Sequence, residues 1–146
     1  MRIVEIKKDL FELSPDVYYF AHCISGDYAL GAGIARTFNS RMNMRHKLHE
    51  QYPIPKGKAY ANVGKALLVD KTFNLVTKTY YYKKPTYDSL CETLLDMKQQ
   101  CKKLGVQHLA MPYIGCGLDR LEWSKVRKMI YQVFEDMDIE VVVCYL

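Results

Sequence analysis

Along the chain, short dense apolar runs alternate with longer segments whose apolar residues recur every three or four positions. "RIVEI" (2–6) predicts an opening strand, and Asp9-Leu10-Phe11 follows it. "VYYFAHC" (17–23) is dense in β-branched and aromatic residues, as in a buried strand. A loop from Ile24 to Ala29 leads into "LGAGIARTF", where Leu30, Ile34 and Phe38 share a helical face. Residues 43–51 predict a further helical stretch, ended by Pro53 and Pro55.

Three short strands are expected next, "AYANV", "KALLVD" and "FNLVTKT", with Asp70 to Thr72 turning between the last two. "KKPTY" opens the longest helix. Thr86 caps it, Tyr87, Leu90, Leu94, Met97, Cys101 and Leu104 form its apolar stripe, and Gly105 ends it. "HLAMPYI" (108–114) predicts a central strand. Ser124 caps a last helix whose inner face is Val126, Met129, Ile130, Val133 and Phe134, and "IEVVVCYL" closes the chain as a buried strand. This order argues for an α/β fold with a mixed sheet covered by helices on both faces. Ligands in such sheets bind in the crevice at strand carboxyl ends. The glycine-bearing strand exits at 23–33 and 114–119 are therefore where a site is expected.

Composition narrows the class without choosing a reaction. At 146 residues the chain is expected to be one domain, 1–146. Its 49% hydrophobic and 25% charged content suits a compact globule. The net charge of +5 is spread without any block of five like charges. It reads as a solvated surface, or as mild attraction for a small dianion or nucleic acid. Cysteines 23, 91, 101, 116 and 144 have no CxxC or CxxH spacing, so neither a zinc site nor any other metal is expected. The N-terminus is too polar for a signal peptide, and no apolar stretch reaches the ~18 residues of a membrane span. A cytoplasmic monomer with no membrane partner is the resulting expectation.

Candidate chemistry lies at the two strand exits. In "SGDYALGAG", Gly31 and Gly33 fall at a predicted helix start, where free N–H groups and the dipole favour an anion. Tight helix–strand packing would also explain them, and the spacing is not that of a dinucleotide motif. In "AMPYIGCGLDRLEW", Gly115 and Gly117 permit a turn whose successive N–H groups form a nest for phosphate. Cys116 between them is either a nucleophile lacking a sequence-near base or small packing material. Asp119 reads as a reactive carboxylate, as a partner of Arg120, or as a helix-start aspartate. Lys78 ends "FNLVTK", so its stem is expected to be partly buried, which favours the nucleophilic neutral amine; an exposed strand-end lysine is the alternative. Asp9 is either a turn residue or an acceptor for an exocyclic amine such as adenine's. His22 suits a satisfied core position, and Tyr80 to Tyr82 suit either a base or sugar edge or aromatic packing.

Together, "AHCIS…LGAGIA…F", "LVTK", "KPTY" and "MPYIGCGLDRLEW" resemble a macrodomain. More narrowly they resemble the terminal ADP-ribose protein glycohydrolase branch, also described as O-acetyl-ADP-ribose deacetylase. The likeness runs in order from "KKDLFE" to the last strand. Lys8 stands where the family often has glycine, 39–65 matches poorly, and "TYYY" after Lys78 is not typical. The resemblance implies a three-layer α/β/α sandwich with a mixed sheet of about six strands. It implies Asp9 and Leu10 at adenine, with His22 among the binding residues. Ser25 with Gly31, Ala32, Gly33 and Ile34 would surround the pyrophosphate and distal ribose, and Ile114, Gly115, Cys116, Gly117 and Leu118 would cradle phosphate from the other side. The reactive pair would be Lys78 and Asp119, the lysine attacking the anomeric carbon and the aspartate resolving the adduct. No cofactor is implied. The expected partner is ADP-ribosylated protein or nucleic acid, and the expected activity is removal of ADP-ribose from glutamate or aspartate, or deacetylation of O-acetyl-ADP-ribose. Release from nucleic-acid bases and non-catalytic reading of ADP-ribose are the alternatives.

Overall fold

The computed structural model describes all residues, Met1–Leu146. In chain order it forms β1 (Arg2–Lys7), a 3-10 turn (Leu10–Glu12), β2 (Tyr19–Ser25), α1 (Gly33–Met42), α2 (Met44–Gln51), β3 (Ala66–Val69), β4 (Thr72–Lys78), α3 (Tyr87–Leu104), β5 (His108–Met111), α4 (Trp123–Phe134) and β6 (Glu140–Tyr145). One six-stranded sheet has the order β1-β6-β5-β2-β4-β3. Only β3 runs antiparallel, pairing with β4 through the turn at Asp70, whose φ is 53. The other five strands point the same way, so all their carboxyl ends meet one edge of the sheet.

Side-chain alternation along the strands feeds two separate cores. Phe73, Leu75, Leu109, Met111, Val141 and Val143 pack under α3 and α4 with Leu90, Leu94, Met97, Ile130 and Phe134. Phe20, Ile24, Val76, Ala110 and Val142 face the other way, against Phe38, Met44 and Leu48 of α1 and α2. This is the expected three-layer α/β/α sandwich with a mixed sheet. Each fully buried Leu or Phe contributes roughly 1.5–3 kcal/mol relative to exposure. No helix is long and apolar enough to cross a membrane.

Several local signals act as expected. Thr86 and Ser89 form a reciprocal capping box at the start of α3, and Gly105 ends that helix with a φ of 68. Others are corrected. Residues 59–63 form no strand; they run through successive tight turns, with N–H bonds from Ala61 to Lys58 and from Val63 to Tyr60. Gly57 and Gly64 flank them with φ of 72 and 90, which strand geometry does not allow. Pro112 follows the last residue of β5, where 108–114 was the expected span. Helix α4 begins at Trp123, one residue before the expected Ser124 cap, and Glu122 at its cap makes no side-chain capping bond. Tertiary contacts fix this start instead. The Glu122 N–H donates to the Tyr87 hydroxyl at 3.0 Å, and the Trp123 indole donates to Glu5 at 3.1 Å.

Candidate active site

Strand β2 has β5 on one side and β4 on the other. The chain leaves β2 to reach β4, then crosses back through α3 to β5, so a topological switch point lies at the carboxyl ends of these strands. A cavity of about 1110 Å³ opens there. Its wall includes Lys8 and Asp9 beyond β1, Ser25 of β2, Lys78 of β4, Pro112 beyond β5 and Tyr145 of β6.

The loop between β2 and α1 forms one side. Gly31, Ala32, Gly33 and Ile34 all line the cavity. The N–H groups from Leu30 to Ala35 have no backbone partner, the first intrahelical bond being Arg36 N–H to Ala32 at 3.4 Å. This is the unsatisfied N-terminus of a ten-residue helix, with its positive dipole end facing the cavity. Tight packing does not explain the glycines. A Cβ at Gly33 would meet nothing within 4 Å, and one at Gly31 would touch only Ala29 O at 4.0 Å. Gly33 does need its φ of 59. Leu30, with a φ of 44, turns its buried side chain inward just before the open stretch.

Residues 114–119 form the opposing side, and Ile114, Gly115, Cys116, Gly117, Leu118 and Asp119 all line the cavity. The nest expected over this whole stretch is narrower. Ile114 N–H donates to Pro112 at 2.8 Å and Cys116 N–H to Tyr113 at 3.1 Å, so neither is free for phosphate. The N–H groups of Gly117, Leu118 and Asp119 remain without backbone partners. Gly115 adopts a φ of 72, in the left-handed region.

Between the two loops, Lys78 Nζ lies 2.6 Å from Asp119 Oδ1, with the side chains 14% and 15% exposed. A register shift produces this placement. Ile24 pairs with Val76 but Ser25 pairs with Lys78, so Thr77 is an extra residue in β4. Bulges of this kind re-aim a side chain beside a site. Lys78, the residue just past this bulge, lines the cavity. Asp119 therefore takes Lys78 as its partner, and Arg120 adopts the left-handed conformation with a φ of 62.

The cysteine alternative loses its chemistry. Burial pushes the Cys116 thiol up to about 11 and, with the nearby Asp119 charge, pushes Cys23 up to about 12. Neither supplies a thiolate near neutral pH. His22 does not reach the cavity. It is fully buried within β2, stacked on Phe38 at 4.1 Å and bonded to Asn74 Oδ1 at 2.6 Å. Burial lowers its pKa to about 4, so it is a neutral core residue and not a binding group. Asp9 caps the 3-10 turn through the Phe11 N–H at 3.0 Å while also lining the cavity beside Leu10.

Sequence reasoning missed Arg41, Tyr113 and Tyr145, which also line the cavity. Tyr113 and Tyr145 stack at 5.7 Å with a 7° interplanar angle, and Arg41 lies over the Phe11 ring at 4.8 Å. Only the fold brings these together. Lys84, also missed, lines the cavity and donates to Leu118 O at 2.8 Å.

A family model described as Macro domain matches residues 23–130. The chain belongs to the macrodomain family. Among its relatives, the human protein named ADP-ribose glycohydrolase OARD1 is 41% identical over 143 residues, covering 97% of this chain and 90% of the relative. The Bos taurus protein of the same name is 39% identical over the same coverage. The macrodomain fold recurs in solved structures at low identity. The macrodomain of Mycobacterium tuberculosis DarG has a TM-score of 0.81 at 19% identity, covering 99% of this chain and 97% of that one. Thermosipho africanus DarTG in complex with ADP-ribose has a TM-score of 0.77 at 16% identity, covering 99% of this chain and 41% of that one. These structures agree with the macrodomain fold, and the glycohydrolase relatives agree with the expectation of a hydrolase.

Proposed function

We propose that this macrodomain binds ADP-ribose and hydrolyses its bond to an acyl acceptor, either a glutamate or aspartate side chain of a protein or the acetyl group of O-acetyl-ADP-ribose. The observation that carries the reading is the Lys78–Asp119 pair, shielded inside a cavity flanked by two sets of unpartnered N–H groups. A pyrophosphate placed between those loops is neutralised by backbone dipoles, and its distal ribose then lies towards the pair. The glycohydrolase relatives support the same chemistry.

In the glycosidic case, the 2.6 Å contact lets one proton pass from Nζ to the Asp119 carboxylate, leaving a neutral amine and a carboxylic acid. Nζ attacks the anomeric carbon of the distal ribose, an N–C bond forms, and the C–O bond to the acceptor breaks with its electrons leaving on the carboxylate. Water then adds at the same carbon with Asp119 managing the proton. The N–C bond breaks, ADP-ribose departs and the lysine is restored. For O-acetyl-ADP-ribose, the Asp119 carboxylate takes a proton from a water that adds to the ester carbonyl; the acyl C–O bond breaks, the ribose oxygen takes that proton back, and acetate and ADP-ribose leave with Lys78 unmodified.

Tyr81 at the cavity rim and the neighbouring exposed Tyr82, with Lys83 5.5 Å from its ring centre, favour a second reading for the acceptor. Exposed rings beside a cation suit a nucleic-acid base. Release of ADP-ribose from a glutamate-linked peptide and from ADP-ribosylated DNA, measured side by side with Lys78→Ala and Asp119→Ala, decides between these readings. Lysine-dependent release from the peptide supports the first. Release from DNA alone moves the assignment to the second, and ADP-ribose binding without release from either makes the protein a reader.

A further inference from the structure

Asp27 does not line the cavity, yet its carboxylate joins two of the loops that do. Oδ1 accepts the Ser25 hydroxyl and, at 3.2 Å, the Ala29 N–H. Oδ2 accepts the Tyr81 N–H at 3.1 Å. The first two donors lie on the path from β2 to the free N–H groups before α1. The third lies three residues beyond Lys78. Two backbone bonds run in parallel, Gly26 N–H to Lys78 O at 2.8 Å and Asp27 N–H to Thr79 O at 3.1 Å.

The surroundings show why a carboxylate is needed here. An ionised Asp accepts only, and can serve several donors at once; an asparagine offers one oxygen and turns two hydrogens towards the remaining N–H. Tyr28 and Leu30, with φ of 54 and 44, flank Ala29 in the left-handed region. Such backbone persists only where its neighbours over-determine it, and the Asp27–Ala29 bond is one such restraint. A side chain on Gly26 would meet the Ala59 carbonyl, so the crossing is tight from behind as well.

We propose that Asp27 is a positioning residue for ADP-ribosyl hydrolysis, setting Ser25 and the free N–H groups of the β2–α1 loop in fixed register with Lys78. This rests on the hydrolase reading above. The phosphates held by that loop and the carbon attacked by Lys78 belong to one ligand. Slippage between the loops therefore moves the reactive carbon away from the amine.

The test compares wild type, Lys78→Ala, Asp27→Asn and Asp27→Ala. Steady-state KM and kcat are read on a glutamate-linked ADP-ribosyl peptide, ADP-ribose Kd by calorimetry, and Tm separately. Asp27→Asn is expected to weaken ADP-ribose binding and to lower kcat, each by roughly tenfold or more per folded molecule. Adding Ser25→Ala to Asp27→Asn is expected to cost less than Ser25→Ala alone costs wild type, because the hydroxyl has already lost its partner. A folded Asp27→Asn protein with wild-type Kd, KM and kcat overturns the proposal, and so does a loss confined to Tm. If Asp27→Ala fails to fold, Asp27→Asn and its cycle with Ser25→Ala decide. If wild type binds ADP-ribose but releases none, the hydrolase reading fails instead. The Kd of Asp27→Asn then settles whether Asp27 sets the loop: unchanged affinity rejects that role and weakened affinity supports it.

Discussion

Lys78 Nζ lies 2.6 Å from Asp119 Oδ1, joining the end of β4 to a loop forty-one residues later. A shielded ion pair is weak evidence for stability, because the desolvation of both charges offsets their attraction. Its position between two anion-receptive loops is what the proposed chemistry draws on. Lys78→Arg separates the two roles, since arginine keeps the positive charge but does not yield a neutral nucleophile. This variant is expected to remain folded, while kcat falls by at least about 10²–10⁴-fold, the range for loss of a proton-transfer partner, since the nucleophile is lost with it. Single-turnover assays check it.

Two glycines of the second loop are expected to part company. At Gly115 a side chain would require the left-handed conformation and would place a Cβ 2.9 Å from Leu121 Cδ1. Gly115→Ala is expected to destabilise by about 1–2 kcal/mol from backbone strain alone, read as a lowered Tm. A Cβ at Gly117 meets nothing within 4 Å, and its N–H is free. Gly117→Ala is expected to keep Tm while weakening ADP-ribose binding, as calorimetry measures.

The cavity thiols are expected to be sluggish. With Cys116 raised to about 11 from an ordinary 9.0, its thiolate population at pH 8 is roughly a hundredfold below that of an unperturbed thiol. Cys23, at about 12, is lower still. Iodoacetamide labelling of the folded protein, followed by peptide mapping, is expected to be slow at both. Rapid labelling of Cys116 would reopen the thiol alternative.

His22 gives the fold an acid-side pH dependence. Burial lowers its folded pKa to about 4 from 6.5. Between these values the unfolded chain binds the extra proton and the folded protein does not. The contribution is therefore complete above pH 6.5 and is lost as pH falls towards 4, by up to roughly 3 kcal/mol. His22→Gln is expected to flatten unfolding free energy over that window in denaturant titrations, even where it lowers the plateau.

Local signals carried much of the architecture. The dense run at β6, the stripe and caps of α3, and the apolar alternation of β4 mark those elements because each is specified by residues near in sequence. Residues 59–63 misled because alternating apolar residues imitate a strand, while Gly57 and Gly64 set the turns. The motif residues from Ser25 to Ile34 and from Ile114 to Asp119 lie at strand exits, so the glycine pattern reached them. His22 shared that motif but points into the core, a distinction that only strand facing reveals. Asp27 lay inside a quoted motif without a signal, because its partner Tyr81 comes from another loop. The Tyr113–Tyr145 stack likewise depends on β5 and β6 being neighbours.

In the proposed mechanism Lys78 forms the bond to the ribose. Intact-mass analysis and peptide mapping of Asp119→Ala read this bond, with the glutamate-linked ADP-ribosyl peptide present long enough for the Lys78 amine to lose its proton to solvent in place of the missing carboxylate. One ADP-ribosyl group on Lys78, absent when Lys78→Ala is added, is the predicted result. Label at another residue, or wild-type turnover by Lys78→Ala, would contradict it.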